Sequence, residues 1–244
     1  MRTDILGVRY DVARFEETAD ALCARRGALR GEYVCVGNVH TTVMAHDDPA
    51  FCAAENGAYR MLADGRPLSI VQRRRGFKEA EQVTGPDLMR AILERSVKGG
   101  YTHYYYGSTA ETQAKLRARL AALYPGLRVL GGEPSVFRPL TDEENGALIS
   151  RINALQPDFV WVGLGAPRQE LFMQANSGRV RALMLGVGGA FDVYADNVRR
   201  APKWMQRMCL EWLFRLLQEP KRLLKRYLVT NTRFLYLLWK ERKA

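Results

Sequence analysis

Cysteine is scarce and unpatterned in this chain: there are four, Cys23, Cys35, Cys52 and Cys209, with no CxxC pair among them. Their apolar neighbourhoods suit small hydrophobic side chains, so a disulfide framework is not expected and a reduced, cytoplasmic setting is. Histidine is scarcer still. His40, His46 and His103 show no paired spacing, so a histidine-built metal site is not expected. No DxD sequence offers carboxylates to a metal-bound diphosphate either. Long apolar runs are also missing. No uncharged stretch of the C-terminal tail approaches the roughly 20 residues of a spanning helix. Residues 1–12 carry acids rather than an apolar run, so no secretory leader is expected and any membrane contact should be peripheral. Repeats and low-complexity tracts are absent.

What is present is enough apolar content for one core and a charge confined to one end. The 244 residues are 47% hydrophobic, which suits one domain with an appendage better than two domains. The formal net charge is +11, and residues 199–244 hold thirteen Lys or Arg against three acids. Ten of the eleven net charges therefore belong to the tail, whose partner is expected to be anionic. The expected division is a core over residues 1–196 and a basic amphipathic appendage over residues 197–244.

Apolar strand-like runs alternate with helical periodicity through the core. Strands are predicted near residues 5–10, 33–39, 59–62, 103–106, 127–130, 159–163 and 182–187. Helices are predicted near 13–26, 49–55, 67–75, 86–98, 110–123, 142–155 and 169–174. Such alternation predicts an α/β fold with a mostly parallel sheet covered on both faces. Thr109, the acids after Thr141, and the prolines in Asp48-Pro49 and Gly85-Pro86 mark helix starts. In the tail, Pro202 opens a helix with apolar residues at a 3,4 spacing, from Met205 to Leu217, and Pro220 breaks it. A second run, with Leu223, Tyr227, Phe234 and Trp239 opposed to interleaved Lys and Arg, has the character of a helix lying in a membrane interface.

Glycine marks several strand ends. Tyr106-Gly107-Ser108-Thr109 and Val162-Gly163-Leu164-Gly165 each precede a helix, and Gly186-Val187-Gly188-Gly189 follows a strand. Such turns bring backbone N–H groups and a helix N-terminus to a phosphate; any one of them is equally well read as a plain βα turn. All three at the carboxyl edge of one sheet favour a nucleotide-type ligand. Asp64, in Asp64-Gly65 after a strand, suits a general base, with a turn or helix cap as the plain alternative. Asp192 and His40 carry the same two readings, site or structure. Arg73-Arg74-Arg75 reads as a solvated helix end.

Taken in order, Asn38-Val39-His40, Ala63-Asp64-Gly65, Val83-Thr84-Gly85-Pro86-Asp87-Leu88, Tyr106-Gly107, Phe137-Arg138-Pro139-Leu140, Val162 through Glu170, Gly186 through Asp192, and the long block from Arg200 to Arg222 resemble the WecG/TagA/CpsF family of bacterial glycosyltransferases, glycosyltransferase family 26. The resemblance spans roughly residues 30–235. It implies a Rossmann-like domain of GT-E type with a C-terminal appendage that closes the site at the membrane. It also implies an inverting hexosyl transfer, often of an N-acetylmannosamine derivative, from a UDP-sugar to a sugar on undecaprenyl diphosphate. On this resemblance Asp64 is the base, and Gln169 and Glu170 lie in the substrate pocket. Arg215 and Arg222 neutralise a diphosphate. The other candidate substrate contacts, apart from those the resemblance assigns, are Asn38, His40, Gly107, Ser108, Gly163, Gly165, Arg168, Gly188, Gly189 and Asp192. No metal and no cofactor beyond the UDP-sugar substrate is expected. Val36 stands where many members have Thr, and His40 where Glu is common, so the sugar contacts are expected to differ.

The implied partners are the UDP-sugar, a polyprenyl-diphosphate-linked glycan and an anionic membrane surface at the inner face of the plasma membrane, with a homo-oligomer as a further possibility. A nucleic-acid-binding module would also suit the tail's charge, but its Trp, Leu and Phe stripe argues against one. A catalytically silent nucleotide-sugar-binding or scaffold homologue is the other alternative.

Overall fold

The computed structural model describes residues 1–241, apart from the side chains of Lys203, Arg207 and Arg222. An antiparallel hairpin, β1 (Arg2–Ile5) and β2 (Val8–Asp11), comes first. Next are α1 (Phe15–Arg25), β3 (Tyr33–Gly37), α2 (Val39–Asp47), α3 (Pro49–Asn56), β4 (Arg60–Ala63), α4 (Arg66–Arg74) and α5 (Gly85–Gly99). The second half runs β5 (Thr102–Gly107), α6 (Ala110–Leu123), β6 (Arg128–Glu133), α7 (Asp142–Leu155), β7 (Phe159–Gly163), α8 (Arg168–Ala175), β8 (Leu183–Gly186) and α9 (Ala190–Tyr194). Strands β3 to β8 form one sheet in the order β4-β3-β8-β7-β5-β6, parallel throughout.

The central strands are continuous apolar runs because both faces are covered. Alternation survives as a division between two cores. Val34, Val36, Leu62, Tyr105, Phe159, Trp161 and Leu185 enter one core, against α1, α5, α6 and α9. Cys35, Met61, Tyr104, Val160, Val162 and Met184 enter the other, against α2, α3, α7 and α8. Successive side chains point to opposite faces, so each covering layer of helices receives every second residue.

Local chemistry sets most boundaries. The Thr141 hydroxyl accepts from Glu144 N while Glu144 accepts from Thr141 N, a reciprocal cap for α7. Thr84 and Thr109 cap α5 and α6 one way only, their hydroxyls accepting from Asp87 N and Thr112 N. Four segments depart from the sequence reading, one being the short α9, for which no helix was predicted. Residues 5–10 are two strands rather than one, because Leu6 and Gly7 both adopt left-handed backbone and turn the chain. Residues 39–47 form α2, which the periodicity did not suggest; Asn38 starts it, accepting from His40 N and Thr41 N. The tail's first helix is split at Cys209, at φ 62, into α10 (Lys203–Arg207) and α11 (Glu211–Gln218).

Pro220 is the first residue of α12 (Pro220–Glu241), where its missing N–H costs nothing. The tail is docked on the core. Phe234 of α12 is buried in the core beside α2, and Arg233 pairs with Asp47. Arg75 reaches both the Asp4 carbonyl and Glu241, and Arg199 exchanges two hydrogen bonds with the Gln218 side chain. No described helix is long and apolar enough to cross a membrane.

Candidate active site

The carboxyl ends of β4, β3 and β8 open onto a cavity of about 410 Å³ that α11 and α12 roof. Its floor carries Asn38, His40, Asp64, Thr84, Val187 and Gly189, and its roof Glu211, Trp212, Arg215, Arg226, Tyr227 and Asn231. Trp212 and Tyr227 meet edge to face at 6.0 Å and hold α11 against α12.

Asp64 sits where β4 ends. Its N–H donates to the Gly37 carbonyl at 2.8 Å and its carbonyl accepts from Gln82 Nε2 at 2.6 Å, so the backbone is fixed and the carboxyl is left facing the cavity. Burial, and then the Glu211 carboxyl, push its pKa up, while Arg200 and Arg215 pull it down. The outcome is a carboxyl that titrates at about 7, where a base is useful at neutral pH.

Arg215 reaches into the cavity from α11. Its guanidinium stands over Gly189, with Nη1 3.5 Å from the point a Cβ would occupy, so a large side chain there would displace it. Arg200 is held differently. It forks onto Asp87 at 2.7 and 2.9 Å, and Asp87 also accepts from the Thr84 hydroxyl at 2.7 Å. Burial works against the Asp87 charge, yet these partners keep its pKa below the usual carboxylate value. The fork ties the start of the tail to the N-terminus of α5.

Asn38 lines the cavity, but its side-chain oxygen is occupied in capping α2. His40 also lines it, with Nδ1 3.4 Å from the Thr230 hydroxyl of α12. Burial, aided by Arg226, lowers its pKa to about 4, so it is neutral at physiological pH. Val36, at the position where Thr is common, is packed in the core.

Other expected contacts lie away from the cavity wall. Gln169 and Glu170 are both buried, 2% exposed each. Gln169 accepts from Gly188 N at 2.9 Å and donates to Glu170 at 3.0 Å, so it braces the Gly188-Gly189 loop from behind. Burial raises the Glu170 pKa to about 7. Gly107, Ser108 and Gly163 form a closed junction: a Cβ on Gly107 would lie 2.4 Å from the Gly163 carbonyl oxygen, which accepts from Ser108 N at 2.9 Å. The Gly107 carbonyl is in turn bonded by Gln113. Gly165 lies half-buried in the loop before α8, and Arg168, the exposed first residue of α8, stands 5.9 Å from the Phe137 ring centroid. Asp192 accepts from the Asn197 side chain at 3.3 Å and ties a loop. The Arg222 side chain lies outside the described residues.

Sequence reasoning passed over Gln82, Arg200, Glu211, Arg226 and Tyr227 as individual site residues, although all five line the cavity. A signal existed for Glu211, one of three acids among the tail's thirteen cations, standing immediately before an apolar run. Among the described residues no cluster of three or more His, Cys, Asp or Glu is placed to hold a metal ion. A comparison with protein-family models matches residues 3–244 to the glycosyl transferase WecG/TagA/CpsF family.

Proposed function

The chain belongs to the WecG/TagA/CpsF family of glycosyl transferases, enzymes of cell-surface polysaccharide synthesis, and on that premise we propose that it moves a hexose from a UDP-sugar to a sugar carried on undecaprenyl diphosphate. The acceptor hydroxyl attacks the anomeric carbon from the face opposite UDP. A carbon–oxygen bond forms as the bond to UDP breaks, UDP leaves with the electron pair, and the hydroxyl proton passes to Asp64. The product is inverted at that carbon. One observation carries this reading: a carboxyl tuned to about pH 7 faces the cavity, on the same wall as a glycine over which an arginine stands. Arg215, with Arg222 seven residues further along the chain, is the candidate for neutralising the diphosphate, as a planar fork of donors does well. No metal ion is assigned a role.

The outer face of the tail suits an anionic membrane surface. Trp204, Met208, Leu217, Leu224, Leu228, Leu235 and Trp239 are exposed, and Lys221, Lys225 and Lys240 lie among them. Apolar anchors with interleaved cations bind a bilayer through burial and charge together. Co-sedimentation with vesicles containing anionic lipid, and its partial loss at raised salt, is the expected result; no binding to such vesicles at low salt would remove the membrane role.

Transfer is tested by UDP release from a panel of UDP-sugars, with and without a short-chain polyprenyl-diphosphate-linked N-acetylhexosamine. Acceptor-dependent release from one donor, lost in Asp64→Asn, supports the reading and names the sugar. Folded wild-type protein that binds UDP yet releases none from any donor, with any acceptor sugar offered, points to a silent binding homologue.

A further inference from the structure

The first residue of α11, Glu211, lines the roof of the cavity. An acid in a first helical turn is favoured by the helix dipole, but that preference does not set which way the side chain faces. This one shares the cavity with Asp64. Among the described residues its carboxyl has no hydrogen-bond partner, even though the tail holds thirteen cations. The nearby Arg200 is spent on Asp87 in a two-bond fork. Burial raises the Glu211 pKa, and its charge in turn opposes ionisation of Asp64.

A half-buried carboxylate without a donor, set near a second one, is costly for the folded chain. A ligand that brings donors removes that cost. The cavity's chemistry restricts which part of a nucleotide-sugar or lipid-linked sugar does so. A diphosphate is repelled by both carboxylates and belongs with the arginines; a polyol has hydroxyl hydrogens to donate and no charge to repel.

We propose that Glu211 is a specificity-determining residue of the transferase site, its carboxylate accepting hydrogen bonds from the hydroxyls of the hexose held against Asp64. The assignment rests on the transferase reading above. It makes the tail a contributor of a sugar contact as well as a roof over the site. The charged groups around Asp64 are Glu211 and Arg215 of α11, Arg200 at the start of the tail and Asp87 of α5, with the neutral His40 on the same floor.

The test is Glu211→Gln in the full chain, with Glu211→Asp as a second variant that keeps the charge. Both are measured for thermal stability, UDP affinity, the KM of donor and acceptor separately, and the pH dependence of kcat/KM. Glu211→Gln is expected to melt above wild type at neutral pH while binding UDP like it, to raise one sugar substrate's KM about tenfold, and to move the acidic limb of the pH profile down, because Asp64 then shares the cavity with one carboxylate fewer. A rise in donor KM assigns the contact to the donor hexose, and a rise in acceptor KM assigns it to the acceptor hexose. Deoxy-sugar substrates sharpen the assignment: the analogue lacking the contacted hydroxyl loses rate with wild type and loses little more with Glu211→Gln. Glu211→Asp is expected to retain the acidic limb of wild type. An active wild type with an indistinguishable Glu211→Gln overturns this proposal and leaves the transferase reading standing. Rate loss that tracks loss of folding in both variants overturns it too, by making Glu211 structural. A wild type that transfers no sugar overturns the transferase reading, and the role of Glu211 with it.

Discussion

Along one edge of the sheet, the ends of β4, β3 and β8 open onto a cavity, whereas the ends of β7 and β5 close onto each other. Both halves have glycine at the strand ends and both lead into helices. They differ in what becomes of the polar groups. In the closed half the Gly163 carbonyl is bonded by Ser108 N, the Gly107 carbonyl by Gln113, and the Ser108 carbonyl by Ser135 N. There the two backbones approach too closely for a ligand to pass between them. In the open half the carboxyls of Asp64 and Glu211 and the guanidinium of Arg215 face shared space. A glycine-rich βα turn is thus permissive for a site; unspent polar groups beside open volume are what mark one.

The largest expected effect separates the halves by chemistry. Asp64→Asn removes the base and should lower turnover by about 10²- to 10⁴-fold, with UDP binding retained, as measured by acceptor-dependent UDP release and by calorimetry. In wild type the base must be ionised, so kcat/KM should rise with pH through about 7. Stability runs the other way. A carboxyl whose folded pKa is raised favours folding below its unfolded value, near 4, and that contribution is lost as pH rises through about 7. Asp64→Asn should therefore gain stability relative to wild type at pH 8 and not at pH 4, by at most about 4 kcal/mol. A variant with wild-type turnover would remove Asp64 as the base.

Next in size is a break in the closed half. Gly107 has φ 119 and would place a Cβ 2.4 Å from the Gly163 oxygen, so Gly107→Val should cost about 3 kcal/mol of stability. The protein that remains folded should turn over at an ordinary rate per molecule. Chemical denaturation alongside active-site titration checks this, and a rate loss without a stability loss would place Gly107 in the site after all. The smallest of the three is Arg215→Ala. This side chain makes no hydrogen bond or ion pair with the described residues, so stability should change little. Turnover should fall about tenfold to a hundredfold through lost diphosphate stabilisation. Equal rates in the variant and wild type would move the diphosphate elsewhere along the cavity.

The contrast also explains which parts of the site could be read early. Asp64 follows a strand and precedes a glycine, both local features, and it lies on the cavity floor. Gln169 and Glu170 stand in an equally distinctive local pattern, yet they are buried behind the Gly188 loop. The sequence around them carries no sign of whether a side chain points toward a cavity or supports its wall from behind. Arg200 and Glu211 were missed individually because each looks like one more charge in a basic tail. Asp87, which Arg200 binds, and Asp64, whose cavity Glu211 shares, each lie more than a hundred residues away in the chain.

Read alone, the residues determined the layered α/β plan, the helix starts at Gly85-Pro86, Thr109 and Thr141, and the concentration of charge in the tail. Periodicity, capping and composition are properties of neighbouring residues, so they can be read without knowing where the chain goes next. Tertiary structure decided that β8 inserts between β3 and β7, that one half of the sheet edge opens while the other seals, and that the tail folds back to bring Glu211 and Arg215 over Asp64. Those outcomes depend on long-range packing and on how closely two backbones approach. Neither quantity is encoded by spacing along the chain.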